Sequence, residues 1–201
     1  MSQSVSGTAS QFIDTERGVL LRARQVPSPN CDDRPAGEIP TLIVVHGISL
    51  PPGEFGGPWI DRLFTNTLPP YEHPYFTAIA TRQVSAHLLI RRDGEVVQYV
   101  PLHRRAWHAG VSSYRGREKC NDFSIGIELE GADDVPYQPM QYRQLCSVIL
   151  QLCAAYPSLS LEHIAGHSDI APGRKTDPGP AFDWERLRAL LAVGAQPTAH
   201  R

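Results

Sequence analysis

The chain has 201 residues, of which 41% are hydrophobic and 20% are charged, and its formal net charge is -2. These values are ordinary for one soluble globular domain with a substantial core. The arginine clusters at 91–92, 104–105 and 115–117 are short and separate. They do not form the basic stripe of a nucleic-acid binder, so no such partner is expected. No apolar run approaches the roughly 18 residues of a membrane span, and none is predicted.

The four cysteines, Cys31, Cys120, Cys146 and Cys153, show no C-x-x-C spacing, so a cysteine zinc site is not expected. Cys146 and Cys153 lie seven residues apart on one face of a predicted helix, where free buried thiols are the simplest interpretation. The polar segment 1–11 contains no apolar signal core. Together these observations favour a reducing, cytoplasmic location.

The first part of the chain is predicted to hold one buried strand and one short helix between irregular segments. We expect residues 1–17 to be disordered or extended. The β-branched run at 41–46 predicts a central strand that is buried on both faces and ends at His46. Residues 58–64 predict a short helix with proline in its first turn. The long irregular stretch at 65–83 is typical of a functional loop or a binding flap.

A hairpin and a further strand are predicted in the middle of the chain. The hairpin has strands at 84–91 and 95–100, joined by a tight turn at 93–94. A second long loop follows at 101–121. The alternation of apolar and polar residues at 123–130 then predicts a strand with all its apolar side chains on one face.

The last part of the chain predicts two helices and determines the fold class. Residues 139–155 carry apolar side chains at helical spacing, and 161–165 read as a short strand. Asp183 is a suitable N-cap for a final helix, which leaves 193–201 as a tail. Strands and helices are mixed along the chain. We therefore expect a single α/β domain at 18–192, with a central mixed β-sheet flanked by helices.

A candidate metal site is predicted around the segment 166–180, which is too rich in proline and glycine for a regular helix or a central strand. It is expected to be an ordered loop that presents His167 and Asp177. With His46 these give two imidazoles and one carboxylate, a set suited to zinc with one position open for water. Singly, His46 also fits a hydrogen-bonded strand end, and Asp177 a turn residue before Pro178. Only their joint occurrence favours a metal.

Proton transfer and charge stabilisation also have candidates. Glu128 lies on the polar side of its strand and suits a general base; Glu130 is the competing choice. Both also fit solvent-exposed strand carboxylates. Lys175, two residues before Asp177, suits the stabilisation of an oxyanion, although surface lysines are common. His108, in the second long loop, is placed where it could touch a substrate. A serine triad is the weaker option, because no G-x-S-x-G elbow is present.

Several longer motifs run through the chain. They are VVH at 44–46, LPPGEFGG at 50–57, RAWHAG at 105–110, NDFSIGIELEG at 121–131 and the loop 166–180. Together they resemble the zinc-dependent N-acetylmuramoyl-L-alanine amidases of the amidase-2 family, over roughly residues 18–192. Several long motifs in order are more specific than any single histidine. The resemblance implies a peptidoglycan-recognition-like fold.

The resemblance also implies a reaction. It would be hydrolysis, during cell-wall recycling, of the amide bond between the lactyl group of 1,6-anhydro-N-acetylmuramic acid and L-alanine in muropeptides. One zinc ion per chain would be held by His46, His167 and Asp177. Glu128 falls on the acid/base position and Lys175 on the transition-state position. An indirect effect on β-lactamase induction, through the level of uncut muropeptide, would follow. We expect a monomer.

The same resemblance assigns substrate contacts. Trp107 would line the sugar side, while Lys119 and the backbone near Ala171 would lie on the peptide side. Lys119 stands where the family carries arginine, and the swap keeps the charge but loses the bidentate fork. Gly47 stands where a polar residue such as asparagine is expected, so one contact there is missing or replaced.

Two other functions remain open from the sequence. One is a non-catalytic peptidoglycan-recognition module, although such modules typically lack a full ligand set and this chain has all three candidate ligands. The other is an amidase that acts on polymeric peptidoglycan outside the cytoplasm. The missing signal core and the absence of wall-binding repeats count against that alternative.

Overall fold

Twelve strands and five α-helices occur in the part of the chain that the computed structural model describes, residues 12–196. The strands are β1 Ile13–Asp14, β2 Val19–Leu20, β3 Arg24–Gln25, β4 Cys31–Asp32, β5 Leu42–Ile48, β6 Leu88–Ile90, β7 Val96–Gln98, β8 Arg105–Ala106, β9 Ser113–Tyr114, β10 Arg117–Glu118, β11 Ser124–Glu130 and β12 Ile164–Gly166. The helices are α1 Trp59–Phe64, α2 Pro74–Thr77, α3 Pro139–Ala155, α4 His167–Ile170 and α5 Trp184–Gly194, with a 3-10 turn at Cys120–Asp122.

Six of these strands form the central sheet, in the order β12-β5-β11-β6-β7-β3. The β6–β7 pair is antiparallel and the other neighbouring pairs are parallel, so the sheet is mixed, as predicted. The two longest strands, β5 and β11, lie side by side in its middle. β5 buries branched aliphatic side chains on both faces, whereas β11 has its aliphatic side chains on one face and Ser124, Gly126, Glu128 and Glu130, also buried, on the other.

One face of the sheet is covered by α3 and α5. The apolar residues of α3 recur at helical spacing, and a capping box between Gln138 and Gln141 begins the helix. Asp183 caps α5 by accepting a hydrogen bond from the Arg186 backbone N–H at 2.8 Å. The largest core cluster joins both helices to the inward side chains of the central strands: Ile43, Val45, Ile125, Ile127, Leu129, Tyr142, Leu145, Ile149, Leu152, Leu187 and Leu191.

The other face is covered by loops and by the short helices α1, α2 and α4. Phe64 of α1 and Phe76 of α2 pack with Leu89 and Val97 of the sheet. Closer to β12, a smaller cluster includes Leu42, Val44, Ala109, Phe123 and Ile170. Because loops rather than long helices cover this face, it has room for polar side chains.

The predicted elements occur at the expected places, with differences in length. Helix 139–155 has the predicted bounds, and the strand predicted at 41–46 continues to Ile48. The hairpin strands predicted at 84–91 and 95–100 are wrong in length: β6 and β7 have three residues each. The backbone before β6 is bonded outside the hairpin, for example from Ser85 N–H to the carbonyl of Trp107 at 3.1 Å.

Two segments predicted to be irregular contain a helical turn. The loop 166–180 begins with α4, where Asp169 accepts a hydrogen bond from the Gly166 N–H at 2.7 Å. The stretch 65–83 contains α2, where the His73 side chain accepts one from the Tyr75 N–H. Proline and glycine therefore excluded a long helix here, but a locally capped turn needs only four residues.

The chain ends differ in part from the expectation. Ile13 pairs with β2 and is buried in the core, so the ordered fold reaches into the segment 1–17. Helix α5 continues to Gly194, inside the predicted tail. The remainder of both predicted terminal segments, 1–11 and 197–201, lies outside the described residues.

Two expectations about the whole chain concern membranes and thiols. Within residues 12–196, every helix is too short or too polar to cross a membrane. The cysteines Cys31, Cys120, Cys146 and Cys153 are all free thiols, and burial raises the pKa of each.

Candidate metal centre

The register of the two central strands places His46 beside Glu128. β5 and β11 run parallel, and Glu128 is the direct partner of His46 in their pairing. Residues paired in this way point to the same face of a sheet. Both side chains therefore leave the sheet on the loop-covered face, and both are buried, with Glu128 at 8% exposure.

His167 and Asp177 reach the same point from the loop 166–180. Strand β12 ends at Gly166, and His167 is the first residue of α4. The chain then turns back, and the Ser168 N–H donates to the backbone carbonyl of Asp177 at 2.9 Å. This hydrogen bond closes the loop and brings the Asp177 carboxylate onto His167.

Three ligand atoms converge there. The Nδ1 atoms of His46 and His167 are 2.9 Å apart, and Asp177 Oδ2 lies 3.2 Å from the first and 3.0 Å from the second. In a tetrahedral zinc site with bonds of about 2.0–2.1 Å, neighbouring ligand atoms lie about 3.3 Å apart. The observed triangle matches one face of such a tetrahedron. These residues could hold a metal ion.

Protonation states agree with that fit. Burial lowers the pKa of His46 to about 4, so its imidazole is neutral at pH 7. Burial alone would raise the pKa of Asp177, but the contacts with His167 and His46 outweigh it and hold that pKa well below its ordinary value. The Nε2 of His167 donates to the carbonyl of Ala109 at 3.2 Å, which leaves its Nδ1 lone pair facing the cluster. Three lone-pair atoms turned toward one another are suited to a cation.

Glu128 is a buried carboxyl beside this cluster. Among the described residues, its Oε2 atom has no hydrogen-bond partner. Burial raises the pKa of Glu128 well above its ordinary value; the negative charge of Asp177 adds to the shift and the positive charge of Lys175 partly offsets it. A carboxyl in this state exchanges a proton at a pH closer to neutrality than an exposed one.

Glu130, the competing choice from the sequence, is engaged elsewhere. Its carboxylate accepts hydrogen bonds from the Gly56 N–H at 2.7 Å, the Arg92 N–H at 3.2 Å and the Arg91 guanidinium at 3.3 Å. The alternative in which both strand glutamates are solvent-exposed is wrong, since Glu128 and Glu130 are both buried. Glu130 anchors a loop, whereas Glu128 faces the site.

Of the eight residues to which the family resemblance assigns a role in metal binding, catalysis or substrate contact, six line one cavity of about 510 Å³. They are His46, Trp107, Glu128, His167, Lys175 and Asp177. Lys119 and Ala171 are not in this cavity. They line a second one of about 560 Å³, next to Arg174.

The Trp107 ring is held by a neighbouring carboxylate. Its Nε1–H donates to Asp32 at 3.1 Å, and Arg105 donates to the same carboxylate at 2.7 Å. The Arg105 guanidinium lowers the pKa of Asp32. Asp32 lies 75 residues before Trp107 in the chain, so sequence reasoning had no local signal for this pair.

The structure explains why glycine, and not a larger residue, fits at position 47. A Cβ atom there would overlap the Tyr137 hydroxyl, which donates to the carbonyl of Pro178 at 2.9 Å. Tyr137 thus occupies the space that a side chain at Gly47 would need, directly behind the loop that carries Asp177. Neither Tyr137 nor this contact was recognised from the sequence.

His108 differs from its expected role as a substrate contact. Its Nδ1 lies 2.9 Å from His46 Nε2, and its Nε2 lies 3.2 Å from Ser124 Oγ. It is also among the residues around the 510 Å³ cavity, but both its nitrogens face protein atoms. Its position after Trp107 gave no indication of a contact with His46, 62 residues away.

This fold and this site define an α/β protein with a candidate metal centre of the hydrolase type, at the carboxyl end of a central strand. The chain belongs to the N-acetylmuramoyl-L-alanine amidase family, whose model matches residues 36–180. The family resemblance and the expected mixed sheet with flanking helices are thereby confirmed.

Individual relatives extend the match to most of the chain. The 1,6-anhydro-N-acetylmuramyl-L-alanine amidase AmpD of Salmonella typhimurium strain SL1344 is 63% identical over 180 residues, covering 90% of this chain and 96% of the relative. A crystal structure of a selenomethionine AmpD derivative has a TM-score of 0.85 at 64% identity. The match covers 87% of this chain and 97% of the AmpD chain. A structure of Escherichia coli AmiD in complex with anhydro-N-acetylmuramic acid-L-Ala-D-γ-Glu-L-Lys has a TM-score of 0.56 at 30% identity. The match covers 83% of this chain and 63% of the AmiD chain.

Proposed function

We propose that this protein is a zinc-dependent amidase that hydrolyses the lactyl–L-alanine bond of 1,6-anhydro-N-acetylmuramyl peptides during cell-wall recycling. The observation that carries the proposal is the convergence of His46, His167 and Asp177 beside the buried carboxyl of Glu128. The high identity to relatives named for this substrate supports the substrate class. Loss of the activity would leave uncut muropeptide, through which we propose an indirect effect on β-lactamase induction.

Zinc is the proposed ion, one per chain. Two neutral imidazoles and one carboxylate are a donor set that zinc accepts, with one position left for a water or a substrate oxygen. When bound, zinc lowers the pKa of a coordinated water to about 7 and polarises a carbonyl group. His46, His167 and Asp177 would hold the ion, and the remaining steps depend on other side chains.

Glu128 is proposed to move the proton. Its raised pKa suits a group that accepts and releases a proton near neutral pH. As the water oxygen bonds to the lactyl carbonyl carbon, Glu128 takes a proton from that water. It then gives the proton to the amide nitrogen as the carbon–nitrogen bond breaks. The products are a free lactyl carboxyl group and a peptide with a free amino terminus, so the atoms of one water are consumed.

Lys175 and Trp107 are proposed to act on the substrate from the same cavity. Negative charge develops on the carbonyl oxygen during attack, and a nearby ammonium group stabilises it. Lys175 is suited to this role because its charge already acts on both Glu128 and His46. Trp107, held through Asp32, offers a rigid apolar ring to the sugar.

Lys119 and the backbone near Ala171 are proposed to receive the stem peptide. Both line the 560 Å³ cavity, which also contains Arg174. The lining has two cations, Lys119 and Arg174, and one carboxylate, Glu118, so an excess of positive charge remains for the carboxylates of an acidic peptide. A lysine ammonium is a point charge without a planar fork, so Lys119 would attract a carboxylate without fixing its orientation.

The cytoplasm is the proposed compartment, and the monomer the proposed state. The four free thiols are typical of a reducing environment. His46, His167, Asp177 and Glu128, which the proposed reaction requires, all belong to the same chain, which is compatible with a monomer. Light scattering of the purified protein tests the monomer: a mass of twice the chain would contradict it.

The first experiment is hydrolysis of a defined anhydro-muramyl tripeptide by purified protein, before chelation, after chelation and after addition of zinc. We expect cleavage at the lactyl–alanine bond, loss of cleavage on chelation and recovery with zinc. Zinc content should be one per chain. Bound zinc with tight muropeptide binding but no turnover would overturn the amidase and indicate the recognition module instead.

Variants make the same experiment specific. Asp177→Ala removes a ligand, so we expect both zinc content and turnover to be lost. Glu185→Ala removes an exposed carboxylate on α5 and is the matched control, with zinc content and turnover unchanged. Turnover of intact peptidoglycan in preference to the tripeptide would contradict the proposed substrate.

A further inference from the structure

We infer that His108 and Ser124 hold His46 in the one neutral tautomer that can ligate a metal, and are therefore positioning residues for the reaction. The inference rests on the proposed function, because it concerns the metal centre. It assigns a role to a chain of side chains beneath the site: His46 Nε2 to His108 Nδ1 at 2.9 Å, and His108 Nε2 to Ser124 Oγ at 3.2 Å.

The donor and the acceptor in each of these hydrogen bonds can be assigned by starting from Ser124. Ser124 Oγ lies 2.5 Å from the backbone carbonyl of Cys120, and a carbonyl oxygen only accepts. The hydroxyl proton of Ser124 is therefore used, so Ser124 Oγ accepts from His108 Nε2–H. A neutral imidazole has a single N–H, which leaves His108 Nδ1 as an acceptor. His46 must then carry its proton on Nε2.

The result at the metal centre is a free lone pair. With the proton of His46 on Nε2, its Nδ1 presents a lone pair toward Asp177 Oδ2 at 3.2 Å. The opposite tautomer would place a proton between the two ligand atoms and block a metal. Fixing a ligating histidine through its other nitrogen is a general device of metal sites.

A glycine in strand β11 makes room for this arrangement. Gly126 lies in the middle of a buried strand, where glycine weakens the strand and offers nothing to pack. A Cβ atom at Gly126 would overlap the His108 ring. The ring thus lies directly on the sheet, between Ser124 below and His46 above on the same face, and glycine at this position permits it.

One short backbone segment serves both histidine ligands. His108 contacts His46 through its side chain, and the carbonyl of the next residue, Ala109, accepts from His167 Nε2. The N–H groups of His108 and Ala109 both donate to Asn121 Oδ1, at 3.1 Å and 2.8 Å. The segment is therefore anchored, so that both ligand tautomers depend on the same two residues.

The test compares two substitutions of nearly equal size. His108→Asn places a side-chain oxygen near the position of Nδ1 and can still accept from His46, whereas His108→Leu cannot. We expect the zinc dissociation constant, measured by competition with a chromophoric chelator, to rise about 10–100-fold for His108→Leu. For His108→Asn it should stay within about threefold of the unchanged protein. Ser124→Ala should give an intermediate rise.

A second readout addresses the tautomer itself. Nitrogen-15 NMR of the histidine rings in metal-free protein should show His46 protonated on Nε2, and a mixture of tautomers in His108→Leu. A purely structural role would lower the unfolding free energy of both His108 variants equally and leave zinc affinity unchanged, which would overturn the inference.

The remaining outcomes are also decisive. If His108→Leu does not fold, Ser124→Ala decides the question. Unchanged zinc affinity and an unchanged His46 tautomer in Ser124→Ala would contradict the proposed role of the hydrogen bonds from Ser124 through His108 to His46. If the unchanged protein binds no zinc, the proposed function fails. The tautomer measurement then still tests the hydrogen bonds from Ser124 through His108 to His46 independently of zinc. A His46 protonated on Nδ1 would refute the assigned direction of these bonds.

Discussion

The two faces of the central sheet differ in what covers them and in the kind of side chain that they bury. On one face, α3 and α5 bury aliphatic side chains of the sheet, and most of the contacts are apolar; the buried amide of Gln141 is an exception, and it donates to the carbonyls of Ile90 and Glu130. On the other, loops and short helices cover a surface that includes the buried polar residues His46, Ser124 and Glu128. Buried polar groups cost free energy unless they are hydrogen-bonded. The comparison shows that apolar burial on the helical face stabilises the fold, and that this stabilisation offsets the free-energy cost of burying polar groups on the loop face.

A second contrast lies within the loop face. Glu128 and Glu130 are two residues apart on β11 and point the same way, and both are buried. Glu130 has three donors, whereas Glu128 Oε2 has no partner among the described residues. A carboxylate with satisfied oxygens stabilises the fold. One without partners is costly and is typical of a functional site.

The largest expected effect separates these two carboxylates. Glu128→Gln should lower turnover by about 10²–10⁴-fold, because the proton carrier is removed. Its unfolding free energy should stay the same or rise, since a buried carboxyl is replaced by a neutral group. Kinetics and chemical denaturation of the same preparation measure both.

Glu130→Gln is the matched control. An amide nitrogen cannot accept the hydrogen bonds that the Glu130 carboxylate receives, so we expect a loss of about 1–3 kcal/mol in unfolding free energy. Turnover of the folded fraction should change little. If Glu130→Gln lowered turnover as strongly as Glu128→Gln at equal stability, the assignment of Glu128 would be wrong.

Next in size is a test of the helical face. Leu145 is fully buried in α3. Leu145→Ala should lower the unfolding free energy by about 2–5 kcal/mol through lost burial and a cavity. Zinc affinity of the folded protein should not change, because Leu145 belongs to the core cluster on the helical face, whereas the proposed ligands lie on the loop-covered face. A large loss of zinc affinity at temperatures where the variant is folded would show that the two faces are not independent.

A smaller effect is expected where the two regions meet behind the Asp177 loop. Gly47→Ala would overlap the Tyr137 hydroxyl and should cost about 1–3 kcal/mol by overpacking. Tyr137→Phe removes that hydroxyl and should cost about 1 kcal/mol by itself. In the double variant the costs should not add, since the overlap is gone. Additive costs in denaturation experiments would contradict the proposed packing.

The smallest expected effect is a pH dependence. The pKa of Glu128 is raised in the folded protein, so the native state keeps a proton that the unfolded state has lost above about pH 4.5. The unfolding free energy of metal-free protein should therefore fall as pH rises from about 5 toward the folded pKa, by at most about 1.4 kcal/mol per pH unit. Glu128→Gln should lack this contribution. A parallel pH profile for both proteins would contradict the raised pKa.

Local sequence patterns were enough for part of the fold and part of the site. Helical spacing gave the bounds of α3, and a β-branched run located β5 with His46 near its end. The candidate ligands His46, His167 and Asp177 were named from residue type and loop composition, and the structure brings their atoms within 3.2 Å of one another. The choice between Glu128 and Glu130 could not be made, because it depends on which donors reach each carboxylate.

The amino-acid sequence by itself determined the order of the longer strands and helices, the mixed α/β class and the chemical types gathered at the site, because periodicity and composition act over a few residues. Only the tertiary structure decided which side chains support the ligands. The contacts of His108 with His46, of Asp32 with Trp107 and of Gly47 with Tyr137 join residues that are distant in the chain. Such contacts arise from strand register and loop closure, which no local pattern encodes.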